Sequence, residues 1–207
     1  DIKRAHAAYC GEITMVDRWV GRLLERLESL RLREDTAIIF TSDHGHYFGD
    51  HGLFGKAMQR DEDGFNLDTF APGRWYRSPI FDPVAQVPLL VSVPQVEPGR
   101  RDALVSAPDL MPTILELAGV EVPESVQSAS LVPLLGGDKA SLHELVVTSW
   151  PLYNLGETIR VVDDLARGVV EPLPSTITDG EWSLIYAIEG APVELYHTAV
   201  DPGQTEN

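Results

Sequence analysis

The sequence predicts an α/β fold over most of its length and a small antiparallel α+β part near its end. The first observation is an apolar stripe that recurs at alternate steps of four and three positions, which predicts one long amphipathic helix: Tyr9, Ile13, Val16, Val20, Leu23, Leu27 and Leu30. The second is the short β-branched run at 36–41, which predicts a strand buried on both faces. A helix of this kind leading into a buried strand is typical of a layered α/β sheet.

The later segments extend this prediction. Residues 87–93 predict a second buried strand, and residues 106–118 a helix that ends before Gly119. After about residue 140 the pattern changes, and short strands are predicted at 145–150, 181–187 and 194–196. We therefore expect the α/β part to cover residues 1–140 and a small α+β subdomain to cover residues 141–207.

Two remaining features concern partners. The net charge is −16, from 32 acidic and 16 basic residues. Such a surface repels phosphate backbones, so we expect no nucleic acid partner. No apolar run is long enough to predict a membrane span. Residues 57–86 show no period, and a loop of that length predicts a lid or a wall of a substrate site.

The chemistry is concentrated in residues 41–56, which are rich in Gly, His and Asp. Loops that follow buried strands are the usual position of active sites in α/β sheets. Asp43 and His44 are adjacent at the predicted strand end, where a carboxylate and an imidazole can reach one metal ion. Lys56 can supply a fixed positive charge for an anionic substrate or leaving group.

Other known patterns fit this segment less well. A phosphate-binding P-loop is excluded because it requires Gly at position 50 and Ser or Thr at position 57, where the chain has Asp50 and Ala57. A metallo-β-lactamase-type site would use His44, His46 and His51, but its spacing is two residues too long here. That alternative predicts two bound zinc ions.

The segment resembles the C-terminal motif of the sulfatases, in the alkaline phosphatase superfamily. The order and spacing agree over sixteen positions, which include Ser42-Asp43-His44-Gly45 and Gly49-Asp50-His51-Gly52-Leu53-Phe54-Gly55-Lys56. The segments 106–119, 179–185 and 194–207 also resemble family segments. The resemblance implies the C-terminal part of an alkaline-phosphatase-like α/β sheet.

The resemblance also implies roles for individual residues. It implies Asp43 and His44 as ligands of a divalent metal, with Ca²⁺ expected first and Mn²⁺ or Zn²⁺ left open by the imidazole. It implies that Lys56 contacts the sulfate. His51 is expected to lie behind the metal ligands or to contact the leaving group, and His46 has no implied role.

The family nucleophile is a formylglycine made within Cys/Ser-x-Pro-Ser-Arg, which this chain lacks. Its single cysteine, Cys10, precedes Gly11-Glu12-Ile13-Thr14. We therefore expect a fragment of a sulfuric ester hydrolase that is inactive by itself and takes sulfate-ester small molecules or glycans as a whole enzyme. A phosphonate monoester or phosphodiester hydrolase and a non-catalytic metal-binding relative are the alternatives. An exposed sheet face also leaves a homo-oligomer open.

Overall fold

A computed structural model describes residues 2–56, 79–137, 140–149, 175–186 and 193–206, and the backbone of two further strands at 58–61 and 64–66. The chain divides into two compact units. Unit 1 contains residues 1–43, 87–102 and 107–140, and unit 2 contains residues 44–86, 103–106 and 141–207. The expected subdomain boundary after residue 140 stays a prediction.

Four α-helices and ten strands are described. The helices are α1 (Ile2–Ser29), α2 (Asp82–Ala85), α3 (Leu110–Leu117) and α4 (Val132–Gly136). The first six strands are β1 (Ile38–Thr41), β2 (Tyr47–Phe48), β3 (Leu53–Gly55), β4 (Met58–Asp61), β5 (Gly64–Asn66) and β6 (Leu89–Ser92). The last four are β7 (Val146–Ser149), β8 (Ser175–Thr178), β9 (Trp182–Tyr186) and β10 (Glu194–His197). The α/β prediction is confirmed.

Unit 1 joins the long helix to a two-stranded sheet. α1 covers the predicted helix, and β1 pairs with β6 in antiparallel register, with Phe40 opposite Leu90. The expectation that these strands are buried on both faces is wrong, because Phe40 is 39% and Leu90 60% exposed. No residue of α1 is buried either. Two strands leave much of both sheet faces open when no further layer covers them.

The second helical part of unit 1 has a polar interior. Asp109, Pro112 and Thr113 are buried at the start of α3. The Thr113 hydroxyl donates to the Asp109 carbonyl at 2.6 Å and accepts from the Leu131 amide at 2.8 Å. The helix ends as predicted, because Gly119 adopts a φ of 68° and Val120 closes the last turn onto Leu115 at 2.8 Å. This network explains why the segment needs a threonine.

Unit 2 contains the antiparallel sheet that the change of pattern after residue 140 predicts. The strand order is β10-β9-β8-β7, and β9 pairs with both neighbours. One face of the sheet packs into the main core through Ile185 and Tyr196, against residues that precede residue 86. The predicted strands at 145–150, 181–187 and 194–196 are thus confirmed, while β8 lies in a stretch without a clear pattern.

A second sheet of unit 2 begins within residues 41–56, the segment that carries the sulfatase-like motif and is here called the motif loop. Its order is β2-β3-β4-β5, all antiparallel. The expected structureless stretch at 57–86 therefore contains strands at 58–61 and 64–66 and the short helix α2. Of the predicted lid or substrate wall at 57–86, residues 67–78 lie outside the described residues, and its role stays a prediction. Among the helices that the structure describes, none is long and apolar enough to cross a membrane.

Candidate active site

Asp43 stands two residues after the end of β1, in unit 1. Its side chain is exposed, and the Ser42 hydroxyl lies 3.4 Å from its carboxylate oxygen Oδ1. A short strand that ends in this way delivers an ionisable oxygen to the surface. Its role as a metal ligand stays a prediction.

His44 follows directly and is half-buried. Its ring Nδ1 lies 2.8 Å from the carbonyl oxygen of Gly45. Because a carbonyl can only accept, Nδ1 of His44 donates its proton to Gly45, and Nε2 is the acceptor of the ring. A backbone carbonyl that holds one ring nitrogen also fixes the orientation of the imidazole.

Lys56 is placed beside that nitrogen by the β2–β3 hairpin. Its Nζ lies 3.2 Å from Nε2 of His44, across twelve positions of sequence. The ammonium donates to the electron pair that the Gly45 contact leaves on Nε2. The sequence prediction grouped these two residues, and the structure brings them together within unit 2.

The hairpin between them turns tightly. Gly49, Gly52 and Gly55 have φ values of 111°, 71° and 73°, and His51 has a φ of 54°. The left-handed region is easily reached by glycine and costly for most other residues. The Phe48 amide also donates to the Asp50 carboxylate at 2.9 Å. The left-handed backbone at these three positions explains why the motif has glycine at each of them.

Gly45 permits a close approach to the segment at 83–84. Its amide donates to the Val84 carbonyl at 2.9 Å, and the next amide, of His46, donates to the Pro83 carbonyl at 3.1 Å. A Cβ atom at position 45 would lie 1.9 Å from the Pro83 oxygen. Only glycine allows this contact, which fixes the backbone on which His44 sits.

His51 lies at the tip of the hairpin and faces inward. Its ring stacks on Phe81 with a centroid separation of 3.6 Å and an angle of 6°. Burial lowers the pKa of His51 despite the opposing effects of the Asp50 and Glu194 charges. The ring is thus held by its stack on Phe81.

His46 occupies an aromatic cluster. It stacks on Phe48 at 4.3 Å and meets Phe54 edge-on at 5.2 Å. The sequence implied no role for it, and these contacts give it a packing role in the hairpin.

Three residues that support the loop were missed by sequence reasoning. Tyr47 is fully buried, and its hydroxyl donates to the Pro79 carbonyl at 3.2 Å and accepts from the Phe81 amide at 2.8 Å. Gln204 is also fully buried and accepts from the Asp82 amide at 2.8 Å. The third is Phe81, which lies under His51. Their contacts span 32 to 122 positions, so no local pattern could reveal them.

The described residues contain no group of three or more His, Cys, Asp or Glu side chains arranged to hold a metal ion. A divalent ion bound here would need ligands besides Asp43 and His44. The donor chemistry still fits such an ion, because the Nε2 electron pair and the exposed carboxylate are both suitable ligands.

Comparison with known proteins settles the family. A family model described as Sulfatase matches residues 2–120, which is more than half of the chain. The chain belongs to the sulfatase family. It is 34% identical over 148 residues to the multifunctional alkaline phosphatase superfamily protein PehA of Trinickia caryophylli, covering 68% of this chain and 24% of that protein. It is 27% identical over 214 residues to the choline-sulfatase of Rhizobium meliloti, covering 98% of this chain and 34% of the relative.

A solved member of the superfamily has the same fold. The phosphonate monoester hydrolase of Agrobacterium radiobacter superposes with a TM-score of 0.70 at 26% identity, over 100% of this chain and 37% of the other. The sulfatase-family chain thus spans about a quarter to a third of the length of the curated relatives, and the expected alkaline-phosphatase-like fold is confirmed.

Proposed function

We propose that this chain supplies the metal-binding and anion-contacting part of a hydrolase that cleaves sulfuric esters. Asp43 and His44 act as ligands of one divalent ion, and Lys56 contacts the sulfate. The observation that carries the proposal is the arrangement around His44, where the Gly45 carbonyl holds Nδ1–H and the lysine ammonium lies 3.2 Å from Nε2. Lys56 would give up Nε2 of His44 to the metal ion and turn to the sulfate, so that two positive charges at one point would suit an anionic ester.

The roles follow from charge. A bound divalent ion would supply Lewis-acid stabilisation to the sulfate oxygens. Lys56 adds a positive charge that is already in place as negative charge develops on the sulfate oxygens. The Gly45 contacts hold the His44 backbone, so that the imidazole needs little reorganisation.

The nucleophile belongs, in this proposal, to the part of the whole protein outside these 207 residues. The family resemblance implies a formylglycine there, and the matched part of this chain covers only 24% and 34% of the two relatives. We expect the chain by itself to bind metal weakly and to turn nothing over. Mass spectrometry of peptides from the whole protein should find the formylglycine mass, and its absence would contradict this assignment.

A phosphonate monoester hydrolase is the second candidate. The structural match to the Agrobacterium radiobacter enzyme covers the full chain, and phosphonate and sulfate monoesters share a tetrahedral anionic centre. Calcium would favour the sulfatase assignment, whereas manganese or zinc would favour the phosphonate or phosphodiester assignment. A non-catalytic metal-binding relative predicts no hydrolysis of either ester.

The test compares the whole enzyme on a sulfate ester and a phosphonate monoester with the same aryl leaving group. We expect the sulfate ester to react faster. Lys56→Gln should lower kcat/KM by about 10²- to 10³-fold, the usual effect of removing one such electrostatic contact. Lys3→Gln, at an exposed position of α1, is the matched control and should leave the rate unchanged. A Lys56→Gln enzyme as active as its parent would refute the proposed role.

A further inference from the structure

The segment at residues 79–84, here called the central segment, carries the motif loop on one side. Its Pro83 and Val84 carbonyls accept from the His46 and Gly45 amides at 3.1 and 2.9 Å. These bonds hold the base of the β2–β3 hairpin, beside His44. They leave the tip of the hairpin to be held by something else.

On its other side the central segment binds the end of the chain. The Ile80 carbonyl accepts from the Thr176 hydroxyl at 2.6 Å, and the Asp82 amide donates to the Gln204 side chain at 2.8 Å. Gln204 is fully buried and adopts a left-handed φ of 51°. A non-glycine residue in that conformation indicates that the surrounding contacts hold the segment at 201–204 in place.

His51 connects the hairpin tip to the central segment. Its ring stacks face to face on Phe81, with a centroid separation of 3.6 Å. His51 has a φ of 54°, which lies in the left-handed region that residues other than glycine seldom adopt. The contacts fix the ring plane, whereas a proton donor to a leaving group needs its ring nitrogen at the substrate.

We propose that His51 is a positioning residue, which fastens the tip of the hairpin to Phe81 of the central segment and thereby holds Lys56 beside His44. This inference rests on the proposed function, since it gives a purpose to the position of Lys56. The turn that contains His51 leads directly into β3, and Lys56 is the first residue after that strand. Release of the tip therefore moves the strand that sets the lysine.

The test uses three variants and a control. His51→Ala removes the stack on Phe81. His51→Phe keeps a stacking ring without any proton to transfer, and Phe81→Leu removes the other half of the stack. His197→Ala is the matched control, because His197 also stacks on an aromatic ring, that of Trp182 at 4.3 Å, away from the hairpin.

The first measurement is hydrogen–deuterium exchange of the whole protein, which needs no catalytic activity. We expect His51→Ala and Phe81→Leu to speed exchange at the Gly49 and Gly52 amides, which bond to Leu53 and Gly49 within the hairpin. His51→Phe should speed it less, and His197→Ala not at all. Unchanged exchange in His51→Ala would overturn the proposal, whatever the ester rates show.

The second measurement is the rate of the whole enzyme on aryl esters whose leaving groups differ in pKa. A displaced lysine should slow every ester by the same factor, about 10- to 100-fold for His51→Ala, with Phe81→Leu behaving alike and His51→Phe losing less. A proton donor would instead be missed most by the poorest leaving groups, and Phe81→Leu would match its parent. A loss that is largest for the poorest leaving groups would overturn the positioning role of His51. An inactive parent enzyme would refute the proposed function, and the exchange result alone would then decide whether His51 positions the hairpin.

Discussion

Replacing Gly45 by alanine should destabilise unit 2 strongly. The new Cβ would lie 1.9 Å from the Pro83 oxygen, 2.9 Å from the Pro83 carbonyl carbon and 3.1 Å from the Val84 Cα. All three atoms belong to the backbone, so no side chain can move aside to relieve the clash. The loop or the central segment must shift.

The cost can be estimated from the two effects involved. Forcing extra atoms into a packed site costs about 1–3 kcal/mol, and the two backbone hydrogen bonds at risk contribute about 0.5–1.5 kcal/mol each. The sum is about 2–6 kcal/mol, a large part of the stability of a typical domain. At an ordinary urea dependence, the unfolding midpoint should fall by roughly 1–3 M.

The assay is urea unfolding of the 207-residue chain, followed by circular dichroism and tryptophan fluorescence. Gly203→Ala is the matched control in the same unit, because a Cβ there meets only ordinary contacts at 3.5 and 3.7 Å. We expect the control to unfold near the parent midpoint. A Gly45→Ala chain that unfolds with the control would refute the close approach of the loop to residues 83–84.

Two further predictions concern buried hydroxyl groups. Tyr47→Phe leaves the Phe81 amide without its acceptor and the Pro79 carbonyl without its donor, so unfolding should become about 1–3 kcal/mol easier. Burial raises the pKa of Tyr47 above its ordinary value of 10.0. The folded state therefore favours the neutral phenol, so the parent should lose stability as pH rises above that value. Tyr47→Phe should lose less stability over the same pH range. Equal losses of stability in the two proteins at high pH would contradict the burial of the Tyr47 hydroxyl. In unit 1, Thr113→Val should cost about 1–3 kcal/mol because the Leu131 amide loses its partner, and Thr113→Ser should restore most of it; an unchanged unfolding midpoint in Thr113→Val would show that this bond contributes nothing.

The sequence pattern predicted those elements whose own periodicity is strong. The stripe from Tyr9 to Leu30 marks α1, and the alternation around residue 184 marks β9. β8 escaped prediction because its Ser-Thr-Ile-Thr sequence offers a single strongly apolar residue. The prediction that β1 is buried was wrong. An apolar sequence shows that a strand can be buried, but it does not show which other element packs on it.

The candidate site was predictable in its residues and not in its support. The motif grouped His44 with Lys56, and the hairpin brings their side chains to 3.2 Å. The proton position on His44 depends on the Gly45 carbonyl, which a sequence does not display. The supporting contacts of Tyr47 and Gln204 join distant positions of the chain, so only the folded structure shows them.

The proposed function depends on a metal site in the loop that follows β1. The most direct test is the metal content of the whole enzyme and of its Asp43→Ala variant, measured by inductively coupled plasma mass spectrometry after dialysis. Asp102→Ala, an exposed acid paired with Arg100 at 2.6 Å, is the control. We expect close to one divalent ion per chain in the parent and in the control, and a loss of both metal and ester hydrolysis in Asp43→Ala. An Asp43→Ala enzyme that keeps its metal and its rate would contradict the claim.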